Sequence, residues 1–387
     1  MTEVVAIAEH LAEDFRTRAA EVDREGRFPH ENYEKMRRAG YLSALVPQEL
    51  GGLGATLGQM SRAQQALARG CASTALAVNM HHFQVGAAVD GYWAGAPTEA
   101  TLRRVVDEGI VLASTGAEFI VAGDWTTPTT AERDGDHYIL NGRKYFCSQA
   151  DGMDVVRVNA CEAGSGDLLI VPVAADAPGV TIVPTWDTVG MRGTASHDLL
   201  LENVRVPADS ATRLDGTAPM QNPTATNVVR WFLVLISGVY LGVAEEARAE
   251  ALQAIGGGRN SAFRADALTD VLVGEMEAAF LTGTSVRDAV AERLAVPQPD
   301  ADSVITQAAL CKEIVTGAAQ TVVDRALAIT GGRAFFRRSA LERLNRDMHA
   351  ARFHPPSAPV SFQIAGAGVR RAAAAAAETV VQVAAAH

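Results

Sequence analysis

Along the chain, the spacing of apolar residues changes twice. Near the start, Val5, Ile7, Ala8, Leu11 and Phe15 fall on one helical stripe with charged residues between them. Further helical segments follow at 31–39, 57–70, 73–90 and 98–108, separated by turn signals such as Gly51-Gly52 and Pro97. From 111 to 207 the pattern shortens to runs rich in β-branched and aromatic residues, at 111–115, 137–140, 154–160, 168–173, 180–184 and 198–206. Clusters such as Asp134-Gly135-Asp136, Asn141-Gly142 and Pro178-Gly179 bound them, and Asn141-Gly142 reads as a hairpin turn. This spacing predicts a small antiparallel β-barrel or sandwich. From about 225 the helical period returns in long segments at 226–254, 266–292, 301–329, 338–351 and 358–385, with an N-cap signal in 298–302. The order is therefore α+β: a helical domain over 1–110, a β-barrel domain over 111–220 and a helical bundle over 221–387.

Composition narrows the function classes. A formal net charge of -11 argues against a nucleic-acid partner, which calls for a basic surface. Cys71, Cys147, Cys161 and Cys311 form no CxxC pair and no metal-spaced cluster, so reduced thiols, a cytoplasmic setting and no metal site are expected. Acidic residues Glu3, Glu9, Glu13 and Asp14 do not fit a signal peptide. The apolar run Trp231 to Ala244 is too short for a bilayer and reads as a buried helix, so no membrane partner is expected.

Several local motifs carry a resemblance. Val46-Pro-Gln-Glu-Leu-Gly51-Gly52-Leu-Gly54 follows the second helix, and Asn141-Gly142-x-Lys144 precedes an aromatic and a hydroxyl residue. Val189-Gly-Met-Arg-Gly-Thr194 runs on to Glu202-Asn-Val-Arg-Val-Pro207. Gly331-Gly332 is followed by Leu341-Glu-Arg-Leu-x-Arg346-Asp347. In this order and spacing they resemble the acyl-CoA dehydrogenase superfamily across nearly the whole chain. The resemblance implies an N-terminal helical domain, a central β-barrel, a C-terminal four-helix bundle and a flavin, FAD with FMN as the alternative. It also implies a homo-oligomer, a dimer or tetramer sharing flavin sites between subunits.

The flavin ring is a flat apolar plate with a polar edge, and it needs an apolar wall and a few donors. Alternation along Lys144–Ser148 would put Phe146 and Ser148 on one face. By the resemblance Phe146 stacks near the ring and Ser148 reaches its N5. Thr115 falls where the family's phosphate loop begins, but most of that loop's glycines are missing in 115–124. Arg259 stands near the family's pyrophosphate arginine, and Gly331 and Gly332 where the chain approaches a neighbouring subunit's nucleotide.

The family's dehydrogenases remove a substrate proton with a glutamate. Here Pro355 holds one usual place for it, and the other, at 227–233, contains no carboxylate. Histidines stand nearby instead: His349 and His354 at the C-terminal segment, and His81-His82 on a helix of the first domain. The Arg-Asp…His pattern resembles the oxygenase branch typified by dibenzothiophene monooxygenase, whose members use O₂ and reduced flavin from a separate reductase. His354, His82 and His81 are the candidate catalytic residues, and a small molecule is the expected substrate. Oxygenase chemistry is preferred over acyl-CoA dehydrogenation, for which Glu118 or Glu246 would have to approach the site. A flavin-free binding protein is the third reading.

Overall fold

The computed structural model describes residues 2–116, 127–214, 222–256, 267–298 and 300–385. Five helices open the chain: α1 (Glu3–Glu25), α2 (His30–Arg38), α3 (Leu57–Gly70), α4 (Ala72–Trp93) and α5 (Glu99–Asp107). Eight strands follow: β1 (Leu112–Thr115), β2 (Thr130–Asp134), β3 (His137–Cys147), β4 (Val155–Glu162), β5 (Leu168–Ala174), β6 (Val180–Val183), β7 (His197–Pro207) and β8 (Thr212–Leu214). The last helices are α6 (Pro223–Gly256), α7 (Ala267–Arg293), α8 (Ala301–Thr330), α9 (Ala340–Met348) and α10 (Ala358–Ala385). The caps are local and legible: Thr56 and Gln59 close a capping box on α3, and Asp300 accepts from the Ser303 amide at the start of α8.

The sheet runs β6-β7-β3-β2-β4-β5-β8, with β1 added against β4. It is mixed rather than wholly antiparallel, because both β1 and β2 run parallel to β4. The hairpin expected at Asn141-Gly142 is absent; those residues lie inside β3, at an irregularity facing β7. Gly142 is needed for close approach, since a Cβ there would lie 2.7 Å from the Thr129 hydroxyl. The turn sits at Gly135-Asp136, between the paired residues Asp134 and His137. Strand β2 was not readable as a strand because only Ala131 of its five residues is buried.

The first and last helical segments share a single core, whereas the sheet encloses its own. Helix α6 runs through the shared core. It is long and apolar enough to cross a membrane, but 78% of its most apolar window is buried inside the protein, as in a core helix. Two glycines let α3 close on it: a Cβ on Gly238 would meet the Ser61 carbonyl oxygen at 2.2 Å, and one on Gly242 the Gln65 carbonyl at 2.2 Å. Helix α4 is held by charge. Fully buried Arg230 pairs with Asp90 and donates to the Leu294 carbonyl at 2.9 Å, while the Trp231 indole donates to Asp90 at 2.7 Å. Burial pushes the Asp90 carboxyl above its usual range despite the arginine.

The α3–α6 contact generates a paired prediction. Gly238→Ala should lower stability by about 1–3 kcal/mol through overpacking. Gly274→Ala, where a Cβ meets nothing within 4 Å, should instead raise it by up to about 1 kcal/mol. Urea midpoints of the two variants check this, and equal shifts would contradict the packing argument.

Candidate functional site

The site is built from the C-terminal segment inward. Arg346 and Asp347 anchor that segment. Arg346 binds Asp23 at 2.6 Å and the Val189 carbonyl at 2.8 Å, and Asp347 accepts from the Met191 amide at 2.6 Å. Burial pushes the Asp347 carboxyl up to about 6. A tight turn at 349–353 then replaces the end of the longer helix expected from the sequence, and delivers His354 against α6. Its Nε2 accepts from the Tyr240 hydroxyl at 2.5 Å. Phe232, two turns earlier on the same face of α6, has its ring centroid 6.4 Å from the imidazole and 5.3 Å from Phe83 of α4.

Lys312 holds this segment from behind. It is 2% exposed, and its ammonium donates to the Pro356 carbonyl at 2.8 Å, the His354 carbonyl at 3.2 Å and Glu313 at 2.6 Å. Ser361 donates to the same Glu313 oxygen at 2.8 Å. Burial, with the Lys312 charge adding to it, holds His354 well below the usual histidine range. Burial likewise raises the Tyr240 phenol, which stays protonated and donates. A neutral imidazole that accepts at Nε2 carries its proton at Nδ1. Nδ1 has no partner among the described residues, so it is the ring position His354 offers to the site.

The two histidines of α4 differ from each other. His81 is wholly committed to packing: Nε2 meets the Leu42 carbonyl at 2.8 Å, and Nδ1 accepts from the Leu112 amide at 3.0 Å. Burial lowers its pKa to about 4. His82, also buried, has no partner at either ring nitrogen among the described residues and meets the Tyr41 ring edge-on at 5.0 Å.

On the sheet, Phe146 is 60% exposed at a φ of +59°, with Trp186 at 6.2 Å between ring centroids. A bulge between Lys144 and Cys147 breaks the expected alternation, so Tyr145 and Phe146 both face out and Ser148 lies past the strand end. The Ser148 hydroxyl bonds that of Ser196 at 2.8 Å, and Ser196 bonds that of Thr194 at 2.8 Å. An exposed aromatic face beside a chain of hydroxyls fits the wall and polar edge of an isoalloxazine. Thr115 is buried, and its hydroxyl donates to the Arg157 carbonyl at 3.3 Å. Arg259 and Glu118 lie outside the described residues. Gly331 caps α8 at a φ of +65° and lines a groove of about 560 Å³ with Phe335, Arg337, Asn345 and Arg346; Gly332 follows in the adjoining turn. Glu246 is tied to Arg16 at 2.7 Å.

Sequence reading missed Tyr240 and Lys312. The first was signalled by its eight-residue spacing from Phe232, the second by a lone cation in an apolar stretch of α8.

Residues 4–105, 120–204 and 234–357 match the N-terminal, middle and C-terminal domains of acyl-CoA dehydrogenases. The chain is 32% identical to a putative acyl-CoA dehydrogenase of Bacillus subtilis, YdbM, over 89% of this chain and 91% of that one. It is 30% identical to isobutylamine N-hydroxylase of Streptomyces viridifaciens, over 83% and 84% of the respective chains. The solved structure of KijD3 with FMN and a dTDP-amino-keto sugar superposes with a TM-score of 0.84 and 26% identity, covering 95% of this chain and 94% of that one. With all three domains matched in order on the fold described, the chain belongs to the acyl-CoA dehydrogenase family.

Proposed function

We propose that the protein is a flavin-dependent monooxygenase that takes reduced flavin from a separate reductase and uses it with O₂ on a small molecule. One observation carries this reading. Where the family's dehydrogenases hold a proton-abstracting carboxylate, this chain holds Pro355 beside a neutral His354 that is bonded to Tyr240. Among the described residues, Glu313 comes to this segment and is committed to Lys312 and Ser361, and Asp347 is committed to the Met191 amide. The N-hydroxylase likeness supports the oxygenase branch, the KijD3 complex supports a flavin on this fold, and the YdbM likeness keeps thioester oxidation as the second reading.

Bound reduced flavin supplies the electrons with which one atom of O₂ enters the substrate and the other leaves as water. The chain's own residues set the conditions. Phe146 would wall the ring, and the Ser148–Ser196 hydroxyl pair would supply hydrogen bonds to its polar edge. Phe232 and Phe83 keep water from the far side, and His354 offers a fixed Nδ1–H donor oriented by Tyr240. The seat requires only the ring system, which FAD and FMN share. FMN is the flavin in the KijD3 complex.

Exposed aromatics at the end of the bundle support assembly. Phe335, which lines the Gly331 groove, is 91% exposed, and Phe353 is 84% exposed. Apolar surface of this kind belongs at a contact between copies.

Three outcomes are expected. Butyryl-CoA should not bleach the bound flavin at a useful rate, whereas reduced FMN or FAD on the protein should consume O₂. His354→Ala should raise the hydrogen peroxide released per O₂ consumed. Fast bleaching of the unmodified protein by the thioester would overturn the oxygenase reading in favour of the dehydrogenase.

Sedimentation at micromolar concentration should show a dimer or tetramer, weakened by Phe335→Asp; a stable monomer would contradict the shared-groove reading.

His81, His82 and His354 all have pKa values lowered by burial. Such groups contribute stability above their unfolded value, about 6.5, and lose it as pH falls toward the folded values. Urea midpoints should therefore drop between about pH 6.5 and 4, and the drop should shrink in His81→Gln.

A further inference from the structure

A second polar cluster lies on the outer face of the sheet, under α4. Strands β1 and β4 run parallel with Ser114 in register with Arg157, so their side chains share one face. The neighbours Ala113, Thr115, Val156 and Val158 point the other way and are buried. On that outer face the Arg157 guanidinium donates from one nitrogen to the Gln84 side-chain oxygen at 3.0 Å. No carboxylate reaches it among the described residues. Burial lowers its pKa, with no opposing charge to raise it. Arg287, the other arginine shifted downward, has Asp288 beside it.

Gln84 accepts this bond with its oxygen, which leaves its NH₂ free to donate. The Ser114 hydroxyl has no partner among the described residues, and neither it nor the rest of the guanidinium is sealed from solvent. Beyond the Arg157–Gln84 bond, donors of three side chains therefore meet at the α4–β1–β4 junction with no further acceptor among the described residues. A half-buried guanidinium that no carboxylate among the described residues neutralises offers its remaining N–H groups to an anionic ligand. Gln84 follows Phe83, which packs on Phe232, which packs on His354.

We propose that Arg157, Gln84 and Ser114 form a binding site for an anionic oxygen group. A carboxylate, sulfinate or sulfonate of the substrate fits this donor set, since a planar guanidinium matches two such oxygens at once. The anionic pyrimidine edge of a reduced flavin offers the same chemistry. The assignment of the bound anion to an oxygenation substrate or flavin rests on the function proposed above; the presence of the anion site does not.

The test uses the full-length protein and its Arg157→Met, Arg157→Lys and Gln84→Leu variants, each checked for native circular dichroism. Calorimetric titration with acetate and methanesulfonate, without flavin, reads the substrate source. Titration with oxidised and with anaerobically reduced FMN reads the flavin source. Loss of a charge-assisted hydrogen bond should weaken binding about ten- to a hundredfold in Arg157→Met, with partial recovery in Arg157→Lys. Weakened probe anions with unchanged FMN place the site on the substrate. Weakened reduced FMN with unchanged oxidised FMN places it on the flavin. Unchanged binding of all four in folded Arg157→Met overturns the proposal. Absence of any flavin binding by the unmodified protein would sink the flavoenzyme reading while leaving the anion titrations to decide this one.

Discussion

The structure depends on burying α6 from every side. A helix of this length and apolarity gains most by losing all contact with water, and its neighbours must come close to achieve that. Gly238 and Gly242 permit the approach of α3, and the α4 contact is fastened by Arg230, Asp90 and Trp231. Once α6 is fixed between the first helices and α8, its Phe232–Tyr240 face is fixed as well, and that face receives His354.

The site uses burial to set protonation. His354 is kept neutral by its surroundings and by Lys312, Tyr240 is kept protonated, and the hydrogen bond between them selects the imidazole tautomer. A single buried cation thus does two things. It ties down the carbonyls of the segment that carries His354, and it disfavours a second positive charge nearby. On the sheet, the exposed Phe146 and the hydroxyl chain beside it are shaped by a bulge that turns two successive aromatics outward. Apolar walls with a few fixed polar groups are the general form of a small-molecule site.

Helix spans were legible almost to the residue because hydrophobic period and capping are local properties: 57–70 and 301–329 were read nearly as they stand. The β region was legible as β but not in its pairing. Asn141-Gly142 has the composition of a turn, yet it serves as an irregularity where β3 passes Thr129. The parallel pairing of β1 and β2 with β4 is a long-range choice that no local pattern encodes.

By itself the sequence determined the order of helical and β regions, the family and the loss of the carboxylate at Pro355, because these are properties of residue type and spacing. Only the tertiary structure decided what each polar residue does. His81 and His82 are adjacent in sequence, yet one is spent on two backbone groups and the other has no partner among the described residues. Lys312, Tyr240 and His354 come from three distant segments, as do Arg157, Gln84 and Ser114. Hydrogen bonds and burial act over a few ångströms in space, and folding alone sets which residues lie within that distance.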